Sequence, residues 1–181
     1  MPLIEITEKS HPVILDIRYA STNNFTKKII YEEPLCLILD EALVLFEKAI
    51  VLAQKQNFTF KIFDAFRPQK AQERLWEICP NDMYIMPPSK GSVHTRGVAI
   101  DLTLVDADGT ELDMGTPFDD FTEKSHHGTH ISAEAERNRY MLLGIMTTAG
   151  FDFYRNEWWH YQMFSAQSFD LIRESYGIMK A

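Results

Sequence analysis

The sequence VAIDLTLV, residues 98–105, predicts a β-strand with one apolar face. Successive side chains of a strand point to opposite sides. One side then carries Val98, Ile100, Leu102 and Leu104. The other side carries Ala99, Asp101 and Thr103. An aspartate within an apolar strand is costly to bury unless it has a strong partner. The strand therefore predicts a packed core on one side and a binding partner for Asp101 on the other.

Further strands are predicted on both sides of this segment. The turn DADG at residues 106–109 predicts that residues 98–114 form a β-hairpin. Alternating apolar residues at positions 58–62 predict another strand. Residues 151–164, FDFYRNEWWHYQMF, predict a second, aromatic-rich hairpin that turns at positions 155–156, near Arg155 and Asn156.

Three helices are predicted from apolar spacing and from end signals. Residues 39–56 have an apolar repeat of 3.6 residues, and the proline that opens residues 68–78 suits the first turn of a short helix. Ser132 marks the start and Gly150 the end of a third helix, which is so apolar at residues 140–146 that we expect it to be buried. The elements predict an α+β fold in which helices pack on one side of an antiparallel sheet.

Length and composition restrict the class of protein. A chain of 181 residues, 45% hydrophobic and 24% charged, predicts a single globular domain over residues 1–181. The net charge of -8, with no local lysine and arginine cluster, disfavours binding to nucleic acid. No segment has the roughly 18 apolar residues that would span a membrane. The N-terminal sequence lacks signal-peptide features, so we expect a cytoplasmic protein.

The two cysteines, Cys36 and Cys79, are too far apart for a CxxC metal or redox motif. Cys36 is expected to open the first apolar helix as a buried free thiol. A disulfide is the less favoured alternative in a reducing compartment.

The loop before the strand adds a histidine to Asp101. In GSVHTRGVAID, residues 91–101, His94 precedes Asp101 by seven positions, and Gly97 allows a tight turn between them. A catalytic Zn²⁺ needs three protein ligands, an open position for water and a nearby base. His94 and Asp101 alone fit two interpretations: a metal site, or an ordinary loop beside a hydrogen-bonded buried carboxylate.

The sequence EWWH, residues 157–160, favours the metal interpretation. His160 can be the third ligand and Glu157 the base, while the two tryptophans exclude water and raise the pKa of the carboxyl group. The alternative is an aromatic core hairpin with Glu157 at its solvent edge. Of the many aromatic residues, Trp158 and Trp159 are the ones close enough in sequence to shape a pocket.

Two further motifs have weaker signals. In DAFRP, residues 64–68, Arg67 can stabilise the oxyanion that forms when water attacks a carbonyl, and Asp64 can hold the guanidinium. The alternative is a surface ion pair between Arg67 and Asp64. The histidines of HHGTH, residues 126–130, are expected to make loop hydrogen bonds or to cap the next helix, because no carboxylate has the spacing of a known metal site.

Taken together, these motifs resemble those of the zinc-dependent D-alanyl-D-alanine dipeptidases of the VanX type. SVHTRGVAID, residues 92–101, matches the signature SxHxxGxAxD, and EWWH and DAFRP match in the right order. The resemblance covers nearly the whole chain. It extends to DIRYASTNNF at residues 16–25, MGTPFDD at residues 114–120 and the tripeptide Ser125-His126-His127.

The resemblance implies one Zn²⁺ per chain, at the edge of the sheet, with His94, Asp101 and His160 as ligands. It implies that Glu157 is the general base and acid and that Arg67 stabilises the tetrahedral intermediate.

It also implies a substrate site for a small dipeptide. Asp119 is the expected partner of the substrate ammonium, and Asp120 is the alternative because the spacing differs by about one residue. Tyr19 and Ser92 are expected near the substrate, and Asp64 is included in the site as the residue that holds Arg67.

Three functions are compatible with these residues. The first is hydrolysis of D-alanyl-D-alanine in a small, closed, anionic pocket that disfavours longer peptides. The second is the activity of a related cell-wall D,D-carboxypeptidase or L-alanyl-D-glutamate endopeptidase. The third is a non-catalytic zinc-binding module that recognises a peptide, although binding alone requires neither Glu157 nor Arg67. The sequence does not predict an oligomeric state.

Overall fold

The structure is a computed structural model that describes residues 2–173. Its strands and helices, in chain order, are β1 (Leu3–Ile6), β2 (Val13–Leu15), β3 (Cys36–Leu39), α1 (Asp40–Gln54), β4 (Thr59–Asp64), α2 (Gln69–Ile78), β5 (Ala99–Val105), α3 (Ala133–Ala149), β6 (Phe151–Phe153) and β7 (His160–Met163). The predicted domain extends beyond the described residues at both ends.

The main sheet has five strands in the order β2-β4-β5-β7-β6, and β1 pairs with β3 in a separate two-stranded sheet. Strand β2 is parallel to β4, and the other pairings are antiparallel. The predicted α+β class with a mostly antiparallel sheet is confirmed. The aromatic hairpin is confirmed as well, because β6 and β7 pair across a turn that contains Arg155 and Asn156.

The hairpin predicted for residues 98–114 is wrong in its second half. After the turn, the chain makes an isolated bridge between Val105 and Glu111, and no second strand follows it. Strand β5 pairs with β4 along one edge and with β7 along the other, and the backbone N–H of Leu102 donates to the carbonyl of Trp159. On the edge of β5 that pairs with β7, only the last residues of the strand are left, and residues 111–112 pair with those.

The two faces of β5 have different roles. On the apolar face, Leu104 and Leu102 of β5 pair with Phe60 and Ile62 of β4. Phe60 in turn contacts Phe46 of α1, with ring centroids 5.5 Å apart. Helices α1 and α3 pack on each other and against this side of the sheet. The polar face of β5 is buried too, because every residue of the strand is buried. Asp101 therefore lies on a second buried layer, on the side away from α1 and α3.

The helices agree with the predicted ends. Ser132 caps α3 by accepting a hydrogen bond from the backbone N–H of Ala135, and Gly150 ends it with a φ of +113°. The expectation that α3 is buried all round is wrong. Tyr140 and Met141 are 54% and 38% exposed, because only one side of α3 packs on α1 and β6.

Cys36 opens strand β3 and not a helix. A run of four apolar residues has no period that distinguishes a strand from a buried helix, and here pairing with β1 decides the outcome. The prediction of a buried free thiol at Cys36 is confirmed, and Cys79 is also a free cysteine. In the described part of the chain, no helix is long and apolar enough to cross a membrane.

The prediction that the histidines of residues 126–130 make loop hydrogen bonds is confirmed for the side chain of His126. His126 Nε2 lies 3.0 Å from the hydroxyl of Tyr84, and His130 is exposed. The ring of His127 packs edge-on against Phe153, and its two buried nitrogens have no hydrogen-bond partner among the described residues. Burial lowers the pKa of His127 to about 4, and the charge of Arg139 adds to the effect.

We expect His127 to make the folded state sensitive to acid. The unfolded chain takes up a proton on this histidine near its ordinary pKa of about 6.5, whereas the folded chain does so only near pH 4. The free energy of unfolding therefore does not depend on this group above pH ~6.5. It falls as the pH decreases from ~6.5 to ~4, by up to about 3 kcal/mol in total.

The measurement is urea unfolding of the wild type, His127→Gln and the exposed control His130→Gln at pH 7 and pH 4.5. The stability of His127→Gln should decline less with acid than that of the wild type and of the control. Equal declines in all three proteins would contradict the prediction.

Candidate active site

Three neighbouring strands place the candidate site residues on one face of the sheet. Asp101 of β5 lies directly opposite His160 of β7 and Asp64 of β4. Directly paired residues point to the same face. A bulge in β4 between Ile62 and Asp64 brings the Asp64 side chain into this row. The candidate site thus lies on the three middle strands, β4, β5 and β7.

His94 reaches the same point from a short 3-10 turn (His94–Arg96) that precedes β5. Gly97 ends this turn with a φ of +70° and sits against Leu3, Leu39 and Ile172, so a larger residue would be both strained and crowded there. The backbone N–H of Arg67 donates to the carbonyl of His94 at 3.1 Å. The loop is therefore fixed to the end of β4.

His94, Asp101 and His160 converge as a group that could hold a metal ion. His94 Nε2 lies 3.2 Å from His160 Nδ1 and 3.4 Å from Asp101 Oδ1, and His160 Nδ1 lies 3.0 Å from the same oxygen. In a tetrahedral zinc site with bonds of about 2.0–2.1 Å, neighbouring ligand atoms are about 3.4 Å apart. The three side chains fit such a site and leave its fourth position for another ligand.

The second nitrogen of each imidazole ring has a hydrogen-bond acceptor. His94 Nδ1 lies 2.7 Å from the carbonyl of Ala65, and His160 Nε2 lies 3.0 Å from Gln162 Oε1. Because a carbonyl oxygen can only accept, the ring proton sits on these outer nitrogens. The inner nitrogens, His94 Nε2 and His160 Nδ1, face the carboxylate of Asp101, and binding of a metal would replace any proton there and use their lone pairs.

Glu157 lies beside this group. Its Oε2 is 3.8 Å from His160 Nδ1, and the residue is only 7% exposed. The alternative in which Glu157 sits at a solvent edge is therefore wrong. Burial raises the pKa of Glu157 to about 8; the negative charge of Asp101 adds to this rise, and His160 and Arg67 oppose it.

The turn that carries Glu157 is held by two loops. The backbone N–H of Trp158 donates to the carbonyl of Ser125 at 3.1 Å, and its indole N–H donates to Thr116 Oγ1 at 2.8 Å. Trp159 lines the cavity in front of the site, whereas Trp158 is packed behind it. The motifs around Thr116 and Ser125 thus fix the position of Glu157 through Trp158.

Arg67 is buried, so the alternative of a surface ion pair is also wrong. Its Nε and Nη2 donate to Asp64 Oδ2 at 2.9 Å and 2.8 Å, and its Nη1 donates to Gln72 Oε1 at 3.0 Å. The hydroxyl of Tyr31 donates to the other oxygen of Asp64 at 2.9 Å. Arg67 Nη2 is 3.8 Å from Asp101 Oδ2, which places the guanidinium next to the candidate ligands.

The candidate substrate residues surround a cavity of about 270 Å³ in front of these groups. Tyr19, Asp119 and Ser92 all line it, and Asp120 does not. The hydroxyl of Tyr19 donates to Asp119 Oδ2 at 3.1 Å, and Asp119 is held in the left-handed region with a φ of +61°. Ser92 Oγ accepts the backbone N–H of His94 at 3.2 Å.

Sequence reasoning missed three polar residues that contact the site: Gln162, Gln72 and Tyr31. Gln162 follows His160 by two positions on the same strand, so the period of two could have identified it. Gln72 and Tyr31 carry no comparable signal, because only the folded chain brings them to Arg67 and Asp64.

A divalent-metal position that opens toward a buried carboxyl group and a buried guanidinium is the arrangement that metallopeptidases use to hydrolyse peptide bonds. The fold and the site therefore point to a metallopeptidase.

Comparisons with known proteins define the family within that class. A family model described as peptidase M15, D-Ala-D-Ala dipeptidase, matches residues 2–176. D-alanyl-D-alanine dipeptidase of Escherichia coli K12 is 40% identical over 164 residues, which cover 90% of this chain and 85% of the relative. The proteins of that name from Enterococcus faecium and Enterococcus faecalis V583 are 35% and 33% identical, covering 86% and 87% of this chain and 88% and 89% of their own lengths. The chain belongs to the D-Ala-D-Ala dipeptidase family.

We expect Gln162 to contribute to metal affinity without being a ligand. Replacing it with leucine removes the acceptor that fixes the tautomer of His160, so Gln162→Leu should weaken Zn²⁺ binding by about tenfold to a hundredfold. Competition with a chromophoric chelator measures this affinity. The control is Gln167→Leu, an exposed residue at the same cavity. Unchanged zinc affinity in Gln162→Leu would contradict the prediction.

Proposed function

We propose that the protein hydrolyses D-alanyl-D-alanine to two molecules of D-alanine with one Zn²⁺ per chain, and that residues 1–181 act as a single metallopeptidase domain. The observation that carries the proposal is the convergence of His94, Asp101 and His160 beside Glu157 and Arg67. A bound zinc ion supplies Lewis-acid polarisation of the peptide carbonyl and a lowered pKa for the attacking water.

Glu157 is proposed as the general base and then the general acid. It would take a proton from the water that attacks the peptide carbon and return it to the leaving amine. A carboxyl group that does both must have a pKa near the working pH. The burial of Glu157 raises its pKa in that direction, and the charge of a bound cation would act against this rise.

Arg67 is proposed to stabilise the negative charge that develops on the carbonyl oxygen. Its guanidinium lies beside the candidate ligands and is held by Asp64, so little reorganisation is needed when the charge appears. Asp64 acts in the site through this contact.

Asp119 is proposed to bind the ammonium group of the dipeptide, together with the hydroxyl of Tyr19. Burial raises the pKa of Asp119, and the nearby negative charge of Asp101 raises it further. A substrate ammonium would supply the missing positive charge. The cavity lining favours Asp119 over Asp120 for this role, and Ser92 is proposed as a further polar contact for the substrate.

The small cavity also favours the dipeptidase over the two rivals. A cell-wall carboxypeptidase or endopeptidase must accept a longer peptide, and a non-catalytic module needs no buried Glu157 and Arg67 pair. The expectations of a cytoplasmic location and of no binding to nucleic acid stay predictions from the sequence.

The proposal is tested by metal analysis joined to a peptide panel. We expect one zinc per chain, hydrolysis of D-alanyl-D-alanine, loss of activity with a chelator, and recovery with added Zn²⁺. N-acetyl-D-alanyl-D-alanine should be a poor substrate because it lacks the ammonium for Asp119. Preferred cleavage of a muropeptide would support the cell-wall enzymes, and tight zinc binding without hydrolysis of any peptide would support the binding module.

We expect Glu157→Ala to retain the metal and to lose activity by several orders of magnitude, since the base is removed while the three ligands stay in place. The measurements are zinc content and kcat on D-alanyl-D-alanine. Glu77→Ala, at an exposed position near the end of α2, is the control. Full activity in Glu157→Ala would rule out the proposed base.

A further inference from the structure

Gln72 is a fully buried glutamine on α2 whose side chain connects two parts of the active site. Its Oε1 accepts a hydrogen bond from Arg67 Nη1 at 3.0 Å, and its Nε2 donates to the backbone carbonyl of Met86 at 2.7 Å. A buried side-chain amide needs partners at both ends. Here one partner is the proposed oxyanion-stabilising group and the other belongs to the wall of the cavity.

The chemistry of the partners fixes the orientation of this amide. A guanidinium can only donate hydrogen bonds, and a backbone carbonyl can only accept them. If the amide of Gln72 were reversed, its NH₂ group would face the donors of Arg67 and its oxygen would face the Met86 carbonyl. The side chain therefore has one satisfied orientation, and in that orientation it joins Arg67 to Met86.

The contacts of Arg67 show what this hydrogen bond does. A guanidinium has five N–H donors. Asp64 accepts from Nε and from Nη2, and Gln72 accepts from Nη1. Tyr31 and Asp101 also lie beside this guanidinium, but neither replaces the acceptor that Gln72 provides at Nη1. Asp64 holds one edge of the guanidinium plane, and Gln72 stops that plane from rotating about this edge.

Met86 belongs to the rim loop, residues 80–92, which contributes Met83, Tyr84, Ile85 and Met86 to the lining of the cavity. Helix α2 holds this loop at two carbonyls. Gln72 donates to Met86, and Gln69 donates to the carbonyl of Pro88 at 3.2 Å. Both glutamines hold the loop, but in the structure only Gln72 also contacts Arg67.

We propose that Gln72 is a positioning residue that holds the guanidinium of Arg67 in the plane required for the oxyanion and couples this plane to the rim loop over the substrate. This inference rests on the proposed function of the site. Gln72 acts through Arg67 and touches no reacting atom. Its loss should therefore affect the turnover rate far more than substrate binding.

The test is a double-mutant cycle on D-alanyl-D-alanine. Gln72→Leu should lower kcat by about tenfold to a hundredfold and change KM by less than about threefold, because the lost interaction acts mainly in the transition state. In an Arg67→Ala background, Gln72→Leu should change kcat by less than about twofold. An equal loss in both backgrounds would overturn the proposal, since Gln72 would then act independently of Arg67.

Gln69→Leu is the matched control because it releases the same loop from the same helix without a contact to Arg67. We expect its kcat to stay within about twofold of the wild type. A loss as large as that of Gln72→Leu would mean that holding the loop, and not Arg67, is the role of Gln72.

Thermal unfolding and zinc content of each variant identify any loss that comes from folding or from the metal site. If Gln72→Leu is unstable, Gln72→Glu is the second variant, because it keeps an acceptor for Arg67 Nη1 and loses only the donor to Met86. A kcat near that of the wild type would support a role through Arg67, and a loss as large as that expected for Gln72→Leu would contradict it. Failure of the proposed function is distinguishable, since it would appear as a wild-type protein that does not hydrolyse the dipeptide.

Discussion

The burial of Asp101 in the middle strand of the sheet is the constraint on which the site depends. A carboxylate without water is stable only when positive charge or strong donors surround it. Burial by itself raises the pKa of Asp101, but His94 and His160 outweigh this effect and hold the pKa below its ordinary value. The outer nitrogens of the same two rings have acceptors in Ala65 and Gln162, so a metal ion could take over the stabilisation of Asp101 by binding the carboxylate and both inner nitrogens.

Most of the buried charged groups of the site lie next to a group of opposite charge, which lowers the free-energy cost of burying them. Arg67 lies between Asp64 and Asp101, and Tyr31 completes the hydrogen bonds of Asp64. Glu157 faces His160, and Asp119 is paired with the hydroxyl of Tyr19. Carboxyl groups outnumber the cations around the cavity, so it is suited to a ligand that brings positive charge.

Sequence alone predicted those features that depend on local patterns. The alternation in residues 98–105 gave both the core face of β5 and the polar face of Asp101, and Ser132 and Gly150 gave the two ends of α3. The candidate ligands could be predicted because an aspartate in an apolar strand needs a strong partner, and the histidines of the preceding loop and of EWWH complete the donor set of a zinc site.

Sequence failed where competition between distant segments decides the structure. The second strand of the predicted hairpin is missing because the chain at Trp159 already occupies that edge of β5. Cys36 lies in a strand because β1 pairs with it, and one side of α3 is exposed because its neighbours cover only the other. The contacts of Gln72 could not be predicted from the sequence either, because they join a helix, a strand end and a loop.

The separation of the two faces of the sheet has a consequence for how such an enzyme can change. Helices α1 and α3 pack on one face of the sheet, while the candidate catalytic residues lie on the opposite face. The rim loop and residues 119–121 form part of the cavity wall. Exchanges in the rim loop that keep the hydrogen bond between Gln72 and the Met86 carbonyl can therefore alter the accepted peptide while leaving the hydrolytic apparatus in place, which makes this architecture a suitable starting point for directed evolution of new peptide specificities.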